Sequence, residues 1–304
     1  MVGIDTSVVL AQELLRRGAV VDYCDYSELL VSKDSKTYLS QIPILEIKNI
    51  SLSQESPMGF SGGKKIVDAG NYDAIFQRMD PPVDEKYRKH CEHFSNLPKK
   101  IIQLNNPEWT WKLCEHLLPQ DYPAYAIPTM ECTSLATFTE RIRVGKESVA
   151  KPRNLFGGQG IEFFKADEKE IVLEKYWNTW GPNVVVQPFL EEITQVGDLR
   201  ILVMNLKVVG SVLRMPRTGS RLANLHQGAT AHFFKPTQEQ LLISHTVAKD
   251  LHSKGLYLLG LDFIGNFLSE VNITCPSAVP QINQVMGINA ERLIIDELYA
   301  LIKG

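Results

Sequence analysis

The chain of 304 residues has no apolar run near the roughly 20 residues that a bilayer-spanning helix requires, so no transmembrane segment is predicted. Its start, MVGIDTSVVLAQELLRRG, lacks a basic leading segment, and polar Gln12 and Glu13 interrupt its apolar residues, which argues against a secretory signal. Cysteine is sparse and dispersed: Cys24, Cys91, Cys114, Cys132 and Cys275 include no CxxC pair. An odd, scattered set excludes a disulfide framework and a cysteine zinc site, and predicts reduced thiols in a reducing compartment, by default the cytoplasm. Charge of one sign is also lacking. With 32 basic and 35 acidic side chains the formal net charge is −3, which offers no broad attraction for nucleic acid or an anionic membrane. Any phosphate must then be held by local positive groups. Familiar catalytic signatures are missing as well: there is no HExxH, no phosphate-binding GxxxxGKS/T and no GxGxxG.

What is present is the composition of an ordinary globular enzyme, 44% hydrophobic and 22% charged. The length suits about two domains, or three small lobes. Residues 6–17 are spaced for a helix, with Asp5 or Thr6 to cap it and Gly18 to stop it. Ala19 to Tyr23 reads as a short strand, and SPMGFSGGKK, in a polar Gly/Ser-rich stretch, as an exposed loop. Tyr72 to Gln77 reads as a strand entering RMDPPVD, where two prolines end any sheet at the edge where open α/β sheets bind ligands. Residues 108–118 suggest a Trp-rich helix in which Trp109 and Trp111 belong to a core or interface. Glu147 to Lys151 and Ile161 to Lys165 are strands around NLFGGQG, and Asn183 to Pro188 is an apolar strand. ILVMN-LKVVGSVLRM reads as a hairpin turning at Asn205 and Leu206, and Leu256 to Ile273 as a second one turning at Gly265-Asn266. Glu291 to Ile302 is a closing amphipathic helix.

Three constellations could carry chemistry. Lys151 precedes Gly157, Gly158 and Gly160 in a turn whose backbone N–H groups could approach phosphate; taken alone, a plain hairpin turn with an exposed lysine explains it as well. Glu270 and Asn272 are two apart, so on a strand they share a face, and a turn near Gly265 brings Asp262 opposite them. Apolar neighbours Leu261, Phe263, Ile264, Val271 and Ile273 press this hairpin against a core, where inward carboxylates need a partner; oxygen donors of this kind suit Mg²⁺. The third set is arginine: Arg78, Arg200, Arg214, Arg217 and Arg221, of which Arg200 and Arg214 lie inside apolar strands. The loop from Arg217 through Asn224 to Gly228 is long enough for a lid, and simple disorder explains its composition equally. His90 and His93 flanking Cys91 are expected on a helix surface.

In this order, IFQRMDPPVD, VAKPRNLFGGQGIEFF, VVVQPFLEEITQVGDLRILV, VLRMP, NLHQGA and KGLYLLGLDFIGNFLSEVNITCPS resemble the ATP-grasp ligases, specifically the prokaryotic glutathione synthetase family, over nearly the whole chain. The resemblance implies an α/β plus α+β fold. An N-terminal open α/β (pre-ATP-grasp) domain over 1–107 precedes two antiparallel α+β lobes, a central one with the glycine loop over 108–185 and a C-terminal one with metal site and lid over 186–304. It implies Mg²⁺, with Mn²⁺ as the alternative ion, on Asp262, Glu270 and Asn272. ATP falls to Lys151, Gly157, Gly158, Asn224, the hinge from Gln187 through Pro188 and Phe189 to Leu190, and His116, where the family has a lysine. Lys112, one turn earlier, could reach in its place. Arg214, Lys151 and Arg200 fall in the catalytic region, and Arg78, Asp80, Arg214, Thr274 and Ser277 near the peptide and amine substrates. The family's first strand and following loop have no counterpart, so either the protein does without them or its start codon is misplaced, and the family's DGMGG pattern is RNLFGG here.

The activity implied is two-step amide synthesis joining γ-glutamylcysteine and glycine through an acyl phosphate, with release of ADP. The partners implied are these small molecules, with no nucleic acid and no membrane, in a homo-oligomer, dimer or tetramer. The rivals are an ATP-grasp ligase for another amino acid, such as a glutamate ligase, and a degenerate nucleotide-binding protein.

Overall fold

The computed structural model describes residues 5–25, 41–52 and 58–304. Helix α1 (Thr6–Arg16) is capped by Asp5, whose carboxylate accepts from the Ser7 amide at 2.5 Å, and it stops at Gly18, where φ is +81°. Its buried face, Val8 to Ala11, packs on the last helix of the chain. The strand predicted over Ala19–Tyr23 shrinks to β1 (Asp22–Tyr23). It joins β2 (Gln41–Ile50) and β3 (Met58–Asp68) in an antiparallel sheet of order β1-β2-β3. This corrects the loop expected at SPMGFSGGKK: Met58 to Lys65 is strand, and Ser56 and Pro57 lie outside the described residues. The reason is that β3 is mostly exposed on both faces, so no apolar alternation marks it; its order comes from the backbone ladder to β2.

Strand β4 (Ala74–Phe76), helix α2 (Glu85–Ser95) and strand β5 (Ile102–Leu104) form a βαβ unit with β4 and β5 parallel. The RMDPPVD turn leaves the C-terminal end of β4, as the prolines predict. His90 is 3% exposed on α2, not on a surface, because its side chain lies on the helix face that also buries Tyr87, Cys91 and Phe94.

The helix predicted over 108–118 ends early, as α3 (Pro107–Lys112). Beyond it the chain runs beside the outer strand of the C-terminal sheet, and covering a sheet edge outweighs helix continuation.

A four-stranded antiparallel sheet, order β6-β9-β7-β8, holds β6 (Met130–Cys132), β7 (Glu147–Pro152), β8 (Glu162–Lys165) and β9 (Val184–Pro188). Helices α4 (Leu135–Ile142) and α5 (Glu170–Trp180) cover one side, with Phe138 stacked on Tyr176 at 5.6 Å. After the short α6 (Ile193–Val196) come β10 (Asp198–Met204), β11 (Lys207–Met215) and β12 (Thr230–His232). Helix α7 (Gln238–His252), β13 (Leu258–Ile264), β14 (Phe267–Asn272), α8 (Val279–Met286) and α9 (Ala290–Lys303) complete the chain. The five-stranded antiparallel sheet has order β12-β11-β10-β13-β14.

Both predicted hairpins form. Asn205 and Leu206 adopt φ of 47° and 70° between β10 and β11, and Gly265 takes φ 58° between β13 and β14. Alternation sends Leu199, Ile201, Val203, Leu261, Phe263 and Val271 into a core with α7. On the opposite face, Leu202, Met204, Val212 and Leu258 pack under α8 and α9. Further along that same face the alternation places polar residues, and there the site lies.

Candidate active site

Cross-strand register builds the site. Asp262 on β13 pairs with Arg200 on β10 and with Glu270 on β14, while Asp198 pairs with Arg214 across β10 and β11. Gly260 pairs with Asn272. The spacing of two that put Glu270 and Asn272 on one face also puts Asp198 beside Arg200, a residue that sequence reasoning passed over although the same signal was there.

Arg200 grips Asp262 with two parallel bonds, Nε to Oδ1 at 2.8 Å and Nη2 to Oδ2 at 2.7 Å. Arg214 Nη2 bridges Asp198 Oδ2 at 2.6 Å and Asp262 Oδ2 at 2.9 Å. All four side chains are buried or nearly so. Burial pushes the Asp262 carboxyl up, but Arg200 and Arg214 outweigh it and hold the group below the usual carboxylate range. Asp198 has only the shared Arg214; burial, with Asp262 nearby, lifts it to about 6. Glu270 has no arginine of its own, and burial followed by the Asp262 charge raises it.

His116 lies against this carboxylate, its Nδ1 3.7 Å from Glu270 Oε2. That distance is too long for a hydrogen bond. Burial, then the Lys151 charge, drive the imidazole down to about 3, so the ring is neutral and the contact is not an ion pair. Lys151, half-buried on β7, bears electrostatically on both His116 and Glu270. Lys112 does not replace His116: it pairs with Glu108 at 2.6 Å and lies over Trp109 and Trp111 on the exposed side of α3.

Glu115, which no local pattern flagged, fixes this arrangement. Its carbonyl accepts from Val271 N at 3.1 Å, and its Oε1 accepts from Ile273 N, Thr274 N and Thr274 Oγ1 at 2.6, 2.8 and 2.9 Å. The chain after α3 thus covers the edge of β14 and carries His116 to Glu270. Thr274 is 3% exposed with its hydroxyl on Glu115, so it secures the strand end. Asn105 secures the other side, its Nδ2 donating to Leu258 O and Ile273 O at 2.6 and 2.8 Å while its Oδ1 accepts from Tyr257 N and Leu258 N.

The glycine loop and the long loop after β11 meet. Gln227 Nε2 donates to Gly157 O at 3.2 Å, and a Cβ on Gly158 would lie 2.9 Å from Asn224 Oδ1. Val83, in the DPP turn, donates its amide to Asn154 O at 3.2 Å. At the hinge, Gln187 is buried, Pro188 is exposed, and Phe189 and Leu190 are half-buried. Arg221 pairs with Glu147 at 2.5 Å and lies over Phe163 and Phe189 at 5.2 and 4.9 Å. Arg78 donates from Nη1 to Pro276 O at 2.6 Å and from Nε to Ser7 Oγ at 3.2 Å. Asp80 lies beside Cys275, and Ser277 is half-buried in the same turn. Arg217 packs on Gly228.

Several buried polar atoms have no hydrogen-bond partner among the described residues: Arg214 Nε, Asp198 Oδ1 and His116 Nδ1 at the carboxylates, and Arg78 Nη2 at the DPP turn. Such atoms are costly unless a ligand completes them. Glu270, raised by burial beside ionised Asp262, fits a divalent cation, and Asn272, whose nitrogen donates to Gly260 O and Asp262 Oδ2, has its amide oxygen available to the same ion. Among the described residues no group of three or more His, Cys, Asp or Glu side chains is placed to hold a metal.

Two family models match this chain in tandem. The N-terminal domain of prokaryotic glutathione synthetase matches residues 2–110, and its ATP-grasp domain residues 115–287. The chain belongs to the prokaryotic glutathione synthetase family. A glutathione synthetase of Mesorhizobium japonicum is 25% identical over 299 residues, covering 96% of this chain and 92% of that protein. One from Vibrio parahaemolyticus is 26% identical over 310 residues, covering 99% and 94%. Among solved structures, the ATP-grasp ligase PsnB with precursor peptide PsnA2 and AMPPNP aligns with a TM-score of 0.60 at 14% identity, over 99% of this chain and 96% of that one. The D-cycloserine synthetase DcsG aligns with 0.59 at 16% identity, over 77% and 86%. These likenesses show the ATP-grasp fold. The family makes this chain an ATP-dependent carboxylate–amine ligase using ATP with Mg²⁺. Among the described residues no helix is long and apolar enough to cross a membrane.

Proposed function

We propose that this ligase joins the cysteinyl carboxylate of γ-glutamylcysteine to the amine of glycine, forming glutathione, ADP and phosphate. The observation that carries the reading is the face where Arg214 spans Asp198 and Asp262 beside Glu270, with Arg214 Nε still unpartnered. Asp262, Glu270 and Asn272 would hold the divalent ion, Mg²⁺ or Mn²⁺, which when bound shields the phosphates and the charge that develops on the leaving oxygen. Lys151 and Arg214 stabilise charge on the transferred phosphoryl group. The substrate carboxylate attacks the γ-phosphorus and ADP leaves. The amine of glycine, having shed a proton, then attacks the acyl carbon and phosphate departs. Arg78, through its free Nη2, orients a substrate carboxylate, with Asp80 and Ser277 nearby. The glycine and Asn224 loops exclude the water that would hydrolyse the acyl phosphate.

Purified protein given ATP, Mg²⁺, γ-glutamylcysteine and glycine should release ADP, phosphate and glutathione in equal amounts by mass spectrometry. ADP release with another amine and no glutathione would sink the substrate assignment. Gly158→Ala tests the glycine loop: with φ of +83° and Asn224 Oδ1 2.9 Å from the new Cβ, the loop must shift. The expected rise in KM for ATP is roughly fivefold, equivalent to about 1 kcal/mol of left-handed backbone strain, measured by ADP release at varied ATP.

A further inference from the structure

We infer that Arg221 is a positioning residue for the nucleotide: it fastens the loop between β11 and β12 to the wall of the central lobe, and so sets how fast ADP leaves. The tie presupposes the nucleotide placement proposed above, with the phosphates at Lys151 and the base at the Gln187–Leu190 hinge.

Alternation along β7 divides the central sheet into two faces. Ala150, with Phe164, Val184 and Val186, belongs to the core that α4 and α5 cover. Glu147, Val149 and Lys151 therefore face the other way. Register adds Phe163 and Gln187 to that second face, since both pair with Val149. Arg221 reaches this face from the middle of the 216–229 loop. Its Nη1 donates to Glu147 Oε1 at 2.5 Å, and its guanidinium lies 5.2 Å from the Phe163 ring and 4.9 Å from that of Phe189. Phe189 is a hinge residue, and its own amide donates to Glu147 O at 3.0 Å. A planar guanidinium stacks and pairs at once, which a lysine does not. Farther along the same loop, Gln227 Nε2 donates to Gly157 O. The loop is thus a strap tied at two points, to the hinge by Arg221 and to the glycine loop by Gln227. The Arg221 and Glu147 side chains are 43% and 18% exposed, so salt weakens their pairing and its loss leaves the core intact.

The test follows displacement of mant-ADP, a fluorescent ADP analogue, from the full chain with Mg²⁺ by stopped flow. Arg221→Ala should release it about tenfold faster than wild type, through the combined loss of an ion pair and two ring contacts. Glu147→Gln should speed release by a smaller factor, and the double variant should be no faster than Arg221→Ala, because both changes undo one tie. Raising salt from about 0.05 to 0.5 M should speed release from wild type more than from Arg221→Ala. Release from Arg221→Ala at the wild-type rate, or additive effects of the two single changes, overturns the proposal. Lys151→Ala reports separately on the nucleotide placement and should weaken mant-ADP binding. Unchanged binding to that variant overturns the placement, and the role of Arg221 with it.

Discussion

Replacing Glu270 by glutamine should cut ADP release by on the order of a thousandfold or more, while making the metal-free protein harder to melt. The first effect follows from losing a charged oxygen donor where phosphoryl charge must be offset. The second follows from the carboxyl's own environment: burial, then ionised Asp262, raise it, so the folded chain holds the Glu270 proton more tightly than the unfolded chain does. For a raised carboxyl, the favourable contribution is complete below the unfolded value, given as 4.5, and is lost as pH climbs through the folded one. Glutamine is neutral throughout. Its stability advantage over wild type should therefore be absent near pH 4 and grow above it. Thermal melts of both proteins without metal, at several pH values, read this directly. Added Mg²⁺ and ADP should raise the melting point of wild type and leave the variant where it was. A variant that melts lower than wild type at neutral pH would show that the ionised Glu270 carboxylate stabilises the metal-free fold, against this expectation.

Arg214→Met should be the most destabilising change at the site, costing about 3–5 kcal/mol, as expected when one partner of a buried charge network is removed. Asp262 would keep its two bonds to Arg200, but Asp198 would lose its only arginine bond, with Oδ1 already unpartnered. Adding Asp198→Asn should recover much of the stability and none of the activity, since Arg214 Nε would still be missing. Arg214→Lys should fold better than Met, yet turn over at least about a hundredfold more slowly than wild type, because a point charge cannot span two carboxylates and also face a phosphate. Urea midpoints and ADP release rates measure both. If the double substitution stays as unstable as Arg214→Met alone, the uncompensated charge on Asp198 is not the cause.

The hairpin that carries Asp262, Glu270 and Asn272 was legible in the sequence because two local rules met there. A period of two assigned the face, and Gly265-Asn266 marked the turn, so the register of Asp262 opposite Glu270 followed. The Asn205-Leu206 turn was legible for the same reason. Residues whose partners are distant left no such trace. Glu115 serves amides more than 150 positions away, and Asn105 closes on Leu258 and Ile273, so neither has a periodicity or motif to betray it. The end of α3 was missed because the need to cover an edge strand belongs to the sheet and not to the helix. Strand β3 was missed because it buries little on either face, leaving composition to suggest a loop.

The glycine loop is gripped from two directions, by the amide of Val83 at Asn154 and by Gln227 at Gly157. Order in the loop and order in the DPP turn beside Arg78 are therefore tied: a movement that frees Asn154 also removes the anchor of the turn's Val83 amide, and one that frees Gly157 releases the Asn224 loop through Gln227.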